Sequence, residues 1–237
     1  MSAVKIFFCG MLFISFNSLA GGGTWLDATR IIYNEKDTSR SVKISSTSSD
    51  IPYLVRAWVT HIDNMTVADK WAVTPPVYRL NENGAVQLRL YLLDKSGLPG
   101  DRESVFYLNV LSIPGTSSEE SKMENDSLGG KIIIAINSKI KVFYRPGNLA
   151  DTDMEAEYKK LQFRAEGRSI SIINPTPFYM NFNEIKVDGV KYNINRQMVS
   201  PFGNVTFTTK SVPQKINYRL INDFGGITPL VSVSLKG

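Results

Sequence analysis

The chain has 237 residues, of which 43% are hydrophobic and 21% are charged. Lys and Arg outnumber Asp and Glu by 27 to 22, which gives a formal net charge of +5 at pH 7. Because the basic residues are spread along the whole chain, this charge indicates a mildly basic surface and argues against a nucleic-acid partner.

Residues 1–20 have the pattern of a secretory signal peptide. Lys5 precedes an apolar run over residues 6–16, which is followed by Ser18-Leu19-Ala20. This run is too short to span a membrane, which takes about 20 apolar residues. We therefore predict an exported chain that is not embedded in a membrane. Cys9, the single cysteine, lies in the signal, so the exported chain depends on core burial rather than on disulfides.

Short segments of alternating apolar and polar residues recur along the rest of the chain, and turn-forming pairs separate them. The clearest alternating segments are Val42-Lys43-Ile44, Leu88-Arg89-Leu90 and Val205-Thr206-Phe207, and the turn pairs are Asn83-Gly84 and Asp188-Gly189. This period of two is typical of antiparallel β-structure. The sequence therefore predicts an all-β sandwich fold, with residues 151–160 as a short helix or an ordered linker.

A domain boundary is predicted near Arg145-Pro146-Gly147. A strongly apolar strand ends there in a proline and a glycine, which cannot continue a ladder. The two predicted domains cover residues 21–146 and 147–237. Each is close to the ≈ 100 residues of an immunoglobulin-like sandwich.

The segment before this boundary combines a polar loop with a long apolar strand. Residues 115–130 are rich in Ser, Glu, Asn and Gly and are predicted to form a long mobile loop. The strand that follows places Ile132, Ile134 and Ile136 on one face. Two interpretations are open: an exposed apolar edge that serves a partner, or a central strand that is buried on both faces.

The sequence offers no clear catalytic constellation. His61 is the single histidine and stands beside no recognisable nucleophile, and there is no HExxH motif or cysteine cluster for zinc. Acidic pairs such as Glu119-Glu120 and Asp151/Asp153 lie in loop-like sequence, where solvation explains them. We therefore predict a protein that is not an enzyme and that uses no metal or cofactor.

Several sequence blocks resemble, in order, those of the periplasmic pilus chaperones of the chaperone/usher pathway. The most characteristic block is Ile140-Lys141-Val142-Phe143-Tyr144-Arg145-Pro146. The other matching blocks are residues 29–33, 52–59, 74–80, 101–109, 113–114, 174–179 and 221–226. The resemblance extends over nearly the whole exported chain, from about residue 24 to residue 233.

This resemblance implies a boomerang of two immunoglobulin-like β-sandwich domains. Such a chaperone binds, folds and caps pilus or fimbrial subunits in the periplasm by donor-strand complementation, and delivers them to an outer-membrane usher. Free molecules of the family can also pair as self-capped dimers. No catalytic residue, cofactor or nucleic-acid partner is implied.

The resemblance also assigns roles to individual residues of this sequence. Ile132, Ile134 and Ile136 are the expected donor strand, which fills successive pockets of the groove in the subunit. Arg30 and Lys141 are the expected cleft cations that bind the terminal carboxylate of the subunit. The expected interdomain ion-pair set consists of Arg79, Glu103 and Asp223.

The alternative is a secreted structural or adhesive β-sandwich protein without chaperone activity. A pilin would be expected to have one domain and usually a disulfide, and fibre subunits have no reason to carry the Lys141 motif. Within the chaperones, the loop between Pro114 and Lys131 is longer than in the short-loop branch. The long-loop branch usually has a cysteine pair that brackets this loop, and its absence here favours the short-loop branch.

Overall fold

The computed structural model describes residues 22–63, 65–115, 132–194 and 197–235. The predicted signal peptide and the polar loop over residues 116–130 lie outside the described residues. Within the described part, the secondary structure is almost entirely β. The elements are β1 (Thr24–Leu26), β2 (Arg30–Asn34), β3 (Arg40–Ser46), β4 (Tyr53–Thr60), β5 (Trp71–Thr74), β6 (Val77–Leu80), β7 (Ala85–Leu92), β8 (Ser104–Pro114), β9 (Ile136–Arg145), a 3-10 turn (Gly147–Leu149), α1 (Met154–Tyr158), β10 (Gln162–Glu166), β11 (Ser169–Ile173), β12 (Met180–Val187), β13 (Val190–Lys191), β14 (Met198–Val199), β15 (Asn204–Thr208), β16 (Lys215–Leu220) and β17 (Val231–Ser234).

The first nine strands form a sandwich of two sheets. One sheet has the order β1-β3-β7-β5 and the other has the order β2-β9-β8-β4-β6. The predicted alternation is present, since Val42 and Ile44 of β3 and Leu88 and Leu90 of β7 are buried while the residues between them are more exposed. An aromatic cluster closes the core at one end, where Tyr33 packs edge-on against Trp71 at 5.1 Å between ring centroids.

The chain crosses from one sheet to the other between β1 and β2. β1 pairs antiparallel with β3, whereas β2 pairs parallel with β9 in the opposite sheet. β9 also pairs antiparallel with β8 along residues 136–144. Strand β9 therefore lies between edge strand β2 and strand β8 in this sheet.

The second sandwich consists of the sheet β10-β11-β15 and the sheet β13-β12-β16-β17, with β14 paired to β12. Its core is separate from the first and centres on Phe178, Met180, Phe182 and Ile185. The predicted turn at Asp188-Gly189 joins β12 to β13, and both residues have positive φ, at 47° and 85°. This is the backbone of a type I′ hairpin, which an Asp-Gly pair favours.

A short connection joins the two sandwiches after Pro146. The predicted helix is present as α1, five residues long, and Asp153 caps it by accepting from the backbone N–H of Glu155 at 3.0 Å. No helix among the described residues is long and apolar enough to cross a membrane.

Candidate functional site

Two cations from distant parts of the sequence stand side by side at the junction of the sandwiches. Arg30 opens β2, Lys141 lies in β9, and the parallel register pairs these two residues. Neighbouring strands are about 4.8 Å apart, so side chains in register on one face are neighbours. The structure therefore brings together the two residues that the sequence motifs singled out.

Both cations hydrogen bond to the second sandwich. Arg30 Nη1 donates to the carbonyl oxygen of Ile221 at 3.2 Å, and Lys141 Nζ donates to Asn181 Oδ1 at 2.8 Å. The Arg30 guanidinium also lies over the ring of Phe143, 5.9 Å from its centroid. The cation pair thus belongs to the first sandwich, while its acceptors belong to the second.

Arg30 retains a donor that the described residues leave unsatisfied. Its Nε is buried and has no hydrogen-bond partner in the described part of the chain. A buried donor without an acceptor costs about 1–3 kcal/mol. The described residues therefore satisfy the Arg30 guanidinium only in part.

Burial disfavours the charged form of both groups. It lowers the pKa of Arg30, although nearby acidic groups oppose the change. Burial, together with the charge of Arg30, lowers the pKa of Lys141 to about 8. A carboxylate beside the pair would reverse both effects because it supplies the opposite charge.

A cleft of about 370 Å³ opens beside these cations. The described residues that line it include a third cation, Lys139, and no carboxylate. Lys139 precedes Lys141 by two positions in β9, and its Nζ lies 5.9 Å from the ring centroid of Tyr107. Three cations without an opposing acid favour an anionic ligand. The sequence alternation placed Lys139 on the face of Lys141, but no motif assigned it to the site.

Gly225, which lines this cleft, belongs to a tight turn over residues 222–226. Asn222 Oδ1 accepts from the backbone N–H of Phe224 at 3.1 Å and of Gly226 at 2.8 Å. Gly225 has a φ of +83°, and a Cβ there would lie 2.5 Å from Thr29 Oγ1. Glycine is required at this position by both its backbone conformation and its close approach to the first sandwich.

A buried ion-pair network connects the sandwiches next to the cleft. The Arg145 guanidinium donates through Nε and Nη2 to Glu103 Oε1, at 2.9 and 2.7 Å, and through Nη1 to Asp223 Oδ2 at 2.8 Å. Glu103 Oε2 also accepts from the backbone N–H of Tyr179 at 2.9 Å. Burial raises the pKa of Glu103 to about 7, and the charge of Arg145 limits the rise. The network links both sandwiches at several atoms.

The expectation for Arg79 is corrected by this geometry. Arg79 lies exposed in β6 and donates to Asn81 Oδ1 at 2.9 Å, while Arg145 supplies the cation between Glu103 and Asp223. The reason is the sheet order, because β4 and β8 separate edge strand β6 from β9. Sequence reasoning missed Arg145; the one sequence feature it shares with the site is its place on the odd-numbered face of β9, two residues beyond Phe143.

The isoleucine segment precedes and opens β9. Ile132, Ile134 and Ile136 are exposed over 88%, 72% and 58% of their surface, and the strand begins only at Ile136. Residues 141–145 are paired to β2, and most of them also to β8, whereas the described pairings of residues 136–140 are to β8 alone. Strand β9 is therefore central at its end and forms an exposed edge at its beginning.

The described residues contain no group of three or more His, Cys, Asp or Glu side chains arranged to hold a metal ion. His61 follows β4 at the surface, and its ring packs against Phe106 at 5.6 Å between centroids. This contact is that of an ordinary surface histidine.

Two family models match successive parts of the chain. Residues 23–150 match the model described as pili and flagellar-assembly chaperone, PapD N-terminal domain, and residues 156–232 match pili assembly chaperone PapD, C-terminal domain. The chain belongs to the pilus-assembly chaperone family. This confirms the resemblance noted in the sequence, and it favours chaperone function over that of a structural or adhesive sandwich.

Individual relatives agree with this assignment. The chaperone is 34% identical over 233 residues to chaperone protein FimC of Escherichia coli K12, which covers 95% of this chain and 92% of that protein. It is also 34% identical over 210 residues to the probable fimbrial chaperone protein ElfD of Escherichia coli O157:H7, with coverage of 88% and 85%.

Solved structures share the fold over nearly the same length. A chain in the structure of Salmonella enterica SafA pilin in complex with the SafB chaperone has a TM-score of 0.76 and 28% identity, covering 90% of this chain and 96% of that one. The Escherichia coli chaperone DraB has a TM-score of 0.76 and 26% identity, with coverage of 90% and 97%. The predicted all-β fold with two sandwich domains is confirmed.

Proposed function

We propose that this chaperone captures a pilus subunit by binding its C-terminal carboxylate at Arg30 and Lys141 and by lending it residues 132–136 as a strand. The observation that carries the proposal is the cation pair itself, two half-buried charges in register beside a cleft whose described lining contains no acid. The SafB chaperone, which is similar to this one, was solved with SafA pilin, and this supports a pilus subunit as the partner.

The anchor fixes where the strand of the subunit lies along β9. A carboxylate at the cation pair can accept hydrogen bonds from the Arg30 guanidinium and the Lys141 ammonium, and such charge-assisted bonds are among the strongest in proteins. The C-terminal strand of the subunit, held at this point, would pair with the open edge of β9 over residues 136–140. Since a shift of one residue would turn the wrong side chains inward, the anchor sets the register.

The exposed isoleucines complete the subunit. A pilin that lacks one strand leaves a groove with unpaired backbone groups, which a donated strand satisfies. Burying each of Ile132, Ile134 and Ile136 stabilises the complex by roughly 1.5–3 kcal/mol before association costs are subtracted. The same apolar edge would allow two free molecules to pair and cap each other.

The work of this chaperone takes place in the periplasm, after removal of residues 1–20, and ends with delivery of the subunit to an outer-membrane usher. The division at Pro146 into domains 21–146 and 147–237 suits this function, because the cleft is then formed by both domains. Residues Glu103 and Asp223, joined by Arg145, hold the angle between them.

The proposal is tested by coexpressing the chaperone with a pilus subunit in a bacterial periplasm and isolating the complex. We expect a 1:1 complex that survives size-exclusion chromatography. Ile134→Asp places a charge in an apolar groove pocket and is expected to weaken the complex about ten- to hundredfold.

The matched control is Leu93→Asp, since Leu93 is exposed to a similar extent, 67% against 72%. It lies after β7, outside the donor segment, and the variant should capture the subunit as the unaltered protein does. Equal capture by both aspartate variants would contradict the donor-strand role of the isoleucines.

Capture should also depend on pH. Burial and Arg30 hold the pKa of Lys141 at about 8 in the free chaperone, and a bound carboxylate raises it. The complex therefore binds more protons than its free components. The affinity is highest below pH 8 and falls as the pH rises above the pKa of Lys141 in the free chaperone. We expect the dissociation constant to increase by about tenfold between pH 6 and pH 9.

Isothermal titration of a peptide that carries the last residues of the pilin measures this dependence at several pH values. Lys141→Arg is the control, because a guanidinium stays charged throughout the range and should give a flat profile. A flat profile for the unaltered chaperone would rule out Lys141 as the titrating group.

A further inference from the structure

Asn181 is the part of the second sandwich that contacts the ammonium of the anchor. It lies near the start of β12, is only 4% exposed, and accepts from Lys141 Nζ at 2.8 Å. Its Nδ2 donates to the carbonyl oxygen of Tyr179 at 3.2 Å. Because a carbonyl oxygen can only accept, this second bond fixes the amide so that its oxygen faces the lysine.

The backbone of the same residue connects the two cations. The carbonyl oxygen of Asn181 accepts from the N–H of Ile221 at 2.8 Å, and the carbonyl oxygen of Ile221 accepts from Arg30 at 3.2 Å. A continuous path therefore runs from Lys141 through Asn181 and Ile221 to Arg30. Displacing Asn181 would disturb both cations.

We propose that Asn181 is a positioning residue of the carboxylate anchor, which holds the Lys141 ammonium in place without cancelling its charge. This inference rests on the proposed role of Arg30 and Lys141. An ammonium has three donors, so it can bind the amide oxygen and a carboxylate at the same time. An acidic side chain at position 181 would instead form an internal ion pair and compete with the pilin.

The charged groups around Lys141 explain why a neutral acceptor matters. The titratable groups that face it or its partner cation are Arg30 from β2, Lys139 from β9, Tyr107 from β8, Tyr179 from the segment before β12, and, acting on Arg30, Tyr158 from α1, Asp223 and Glu103. The nearest charge is cationic, and burial also disfavours the ammonium. The Asn181 oxygen stabilises the charged form of Lys141 against both effects.

An isosteric pair of variants provides the test. Asn181→Val removes the acceptor, while Asn181→Thr has nearly the same shape as valine and keeps an oxygen. NMR titration of the Lys141 side chain in the free chaperone should show a pKa lowered by about one unit in the valine variant, with the threonine variant closer to the unaltered protein. Asn217→Val is the control, because Asn217 lies in neighbouring β16 and accepts from Ser232 at 2.7 Å, away from the cleft.

Binding of the pilin peptide should change with pH in a characteristic way. The ratio of the valine variant's dissociation constant to that of the unaltered chaperone should rise from near 1 at pH 6 to about eightfold at pH 8.5. Asn181→Asp should bind poorly at neutral pH, because its carboxylate would pair with Lys141 and repel the carboxylate of the peptide. A merely structural loss would lower the affinity of the valine variant equally at every pH.

The outcomes separate this inference from the proposed function. If Lys141→Ala abolishes binding while Asn181→Val and Asn181→Thr share one Lys141 pKa and one pH profile, the anchor stands and the role of Asn181 is refuted. If Lys141→Ala binds normally, the anchor itself is wrong. Circular dichroism of each variant establishes that it is folded before binding is compared.

Discussion

Lys141→Ala is expected to weaken capture of the pilin by at least about a hundredfold. Removing one partner of a buried, hydrogen-bonded charge contact costs about 2–5 kcal/mol, much of it because the other charge remains buried. Here the terminal carboxylate of the pilin would be left with Arg30 alone. Arg30→Ala should have an effect of similar size, and the double variant should capture no detectable pilin.

Lys141→Ala is expected to leave the stability of the free chaperone nearly unchanged, in contrast to its effect on pilin capture. Lys141 is half-buried beside another cation, so its removal relieves the repulsion and part of the desolvation cost. These gains offset the loss of the hydrogen bond to Asn181, so the melting temperature of Lys141→Ala should stay close to that of the unaltered protein. Copurification and thermal unfolding, measured on the same preparations, check both expectations.

Lys186→Ala is the matched control for this experiment. Lys186 lies in β12 and forms an exposed ion pair with Glu184 at 2.7 Å, so its loss should alter neither capture nor stability measurably. Normal capture by both Lys141→Ala and Arg30→Ala would show that the carboxylate binds elsewhere.

Arg145→Met is expected to destabilise the chaperone by about 3–5 kcal/mol. Arg145 and Glu103 are 5% and 4% exposed, so the substitution leaves a buried carboxylate without its cation. Asp223 loses the same partner, which weakens the contact between the sandwiches. Urea unfolding, followed separately by fluorescence and circular dichroism, should show the loss and a divergence of the two transitions.

Two further variants define the origin of this effect. Arg40→Met breaks the pair with Asp37, in which the arginine side chain is 43% exposed, and should cost less than about 1 kcal/mol. Adding Glu103→Gln to Arg145→Met replaces the carboxyl group that has lost its partner with a neutral amide and should restore part of the stability. A loss of equal size in Arg40→Met and Arg145→Met would mean that burial of the network is unimportant.

Much of the fold could be predicted from local pattern. The alternation in β3 and β7 and the Asp188-Gly189 turn depend on neighbours in sequence, and each was correctly interpreted. The start of β9 was predicted wrongly, because the strand begins only at Ile136. Ile132 to Ala135 have the composition of a strand, but a strand also needs a neighbour to pair with, and composition does not show where the pairing of β8 ends.

The same distinction between local sequence pattern and strand pairing applies to the residues of the site. Arg30 and Lys141 could be selected because each lies in a recognisable motif, whereas Asn181 and Lys139 have no motif and gain their roles from contacts between strands. The presence of Arg145 rather than Arg79 in the ion-pair network has the same cause. Which cation reaches Glu103 depends on the order of strands across the sheet, and that order is absent from any single segment.

The parallel pairing of β2 with β9 also bears on when this chaperone becomes active. Arg30 and its acceptor Ile221 are 191 positions apart in the chain, and the strand that supplies Lys141 comes after eight others. Contacts between such distant residues close late and slowly in folding. A partly folded molecule would therefore lack the proposed anchor, and only a fully folded chaperone would be able to hold an incomplete pilin in this way.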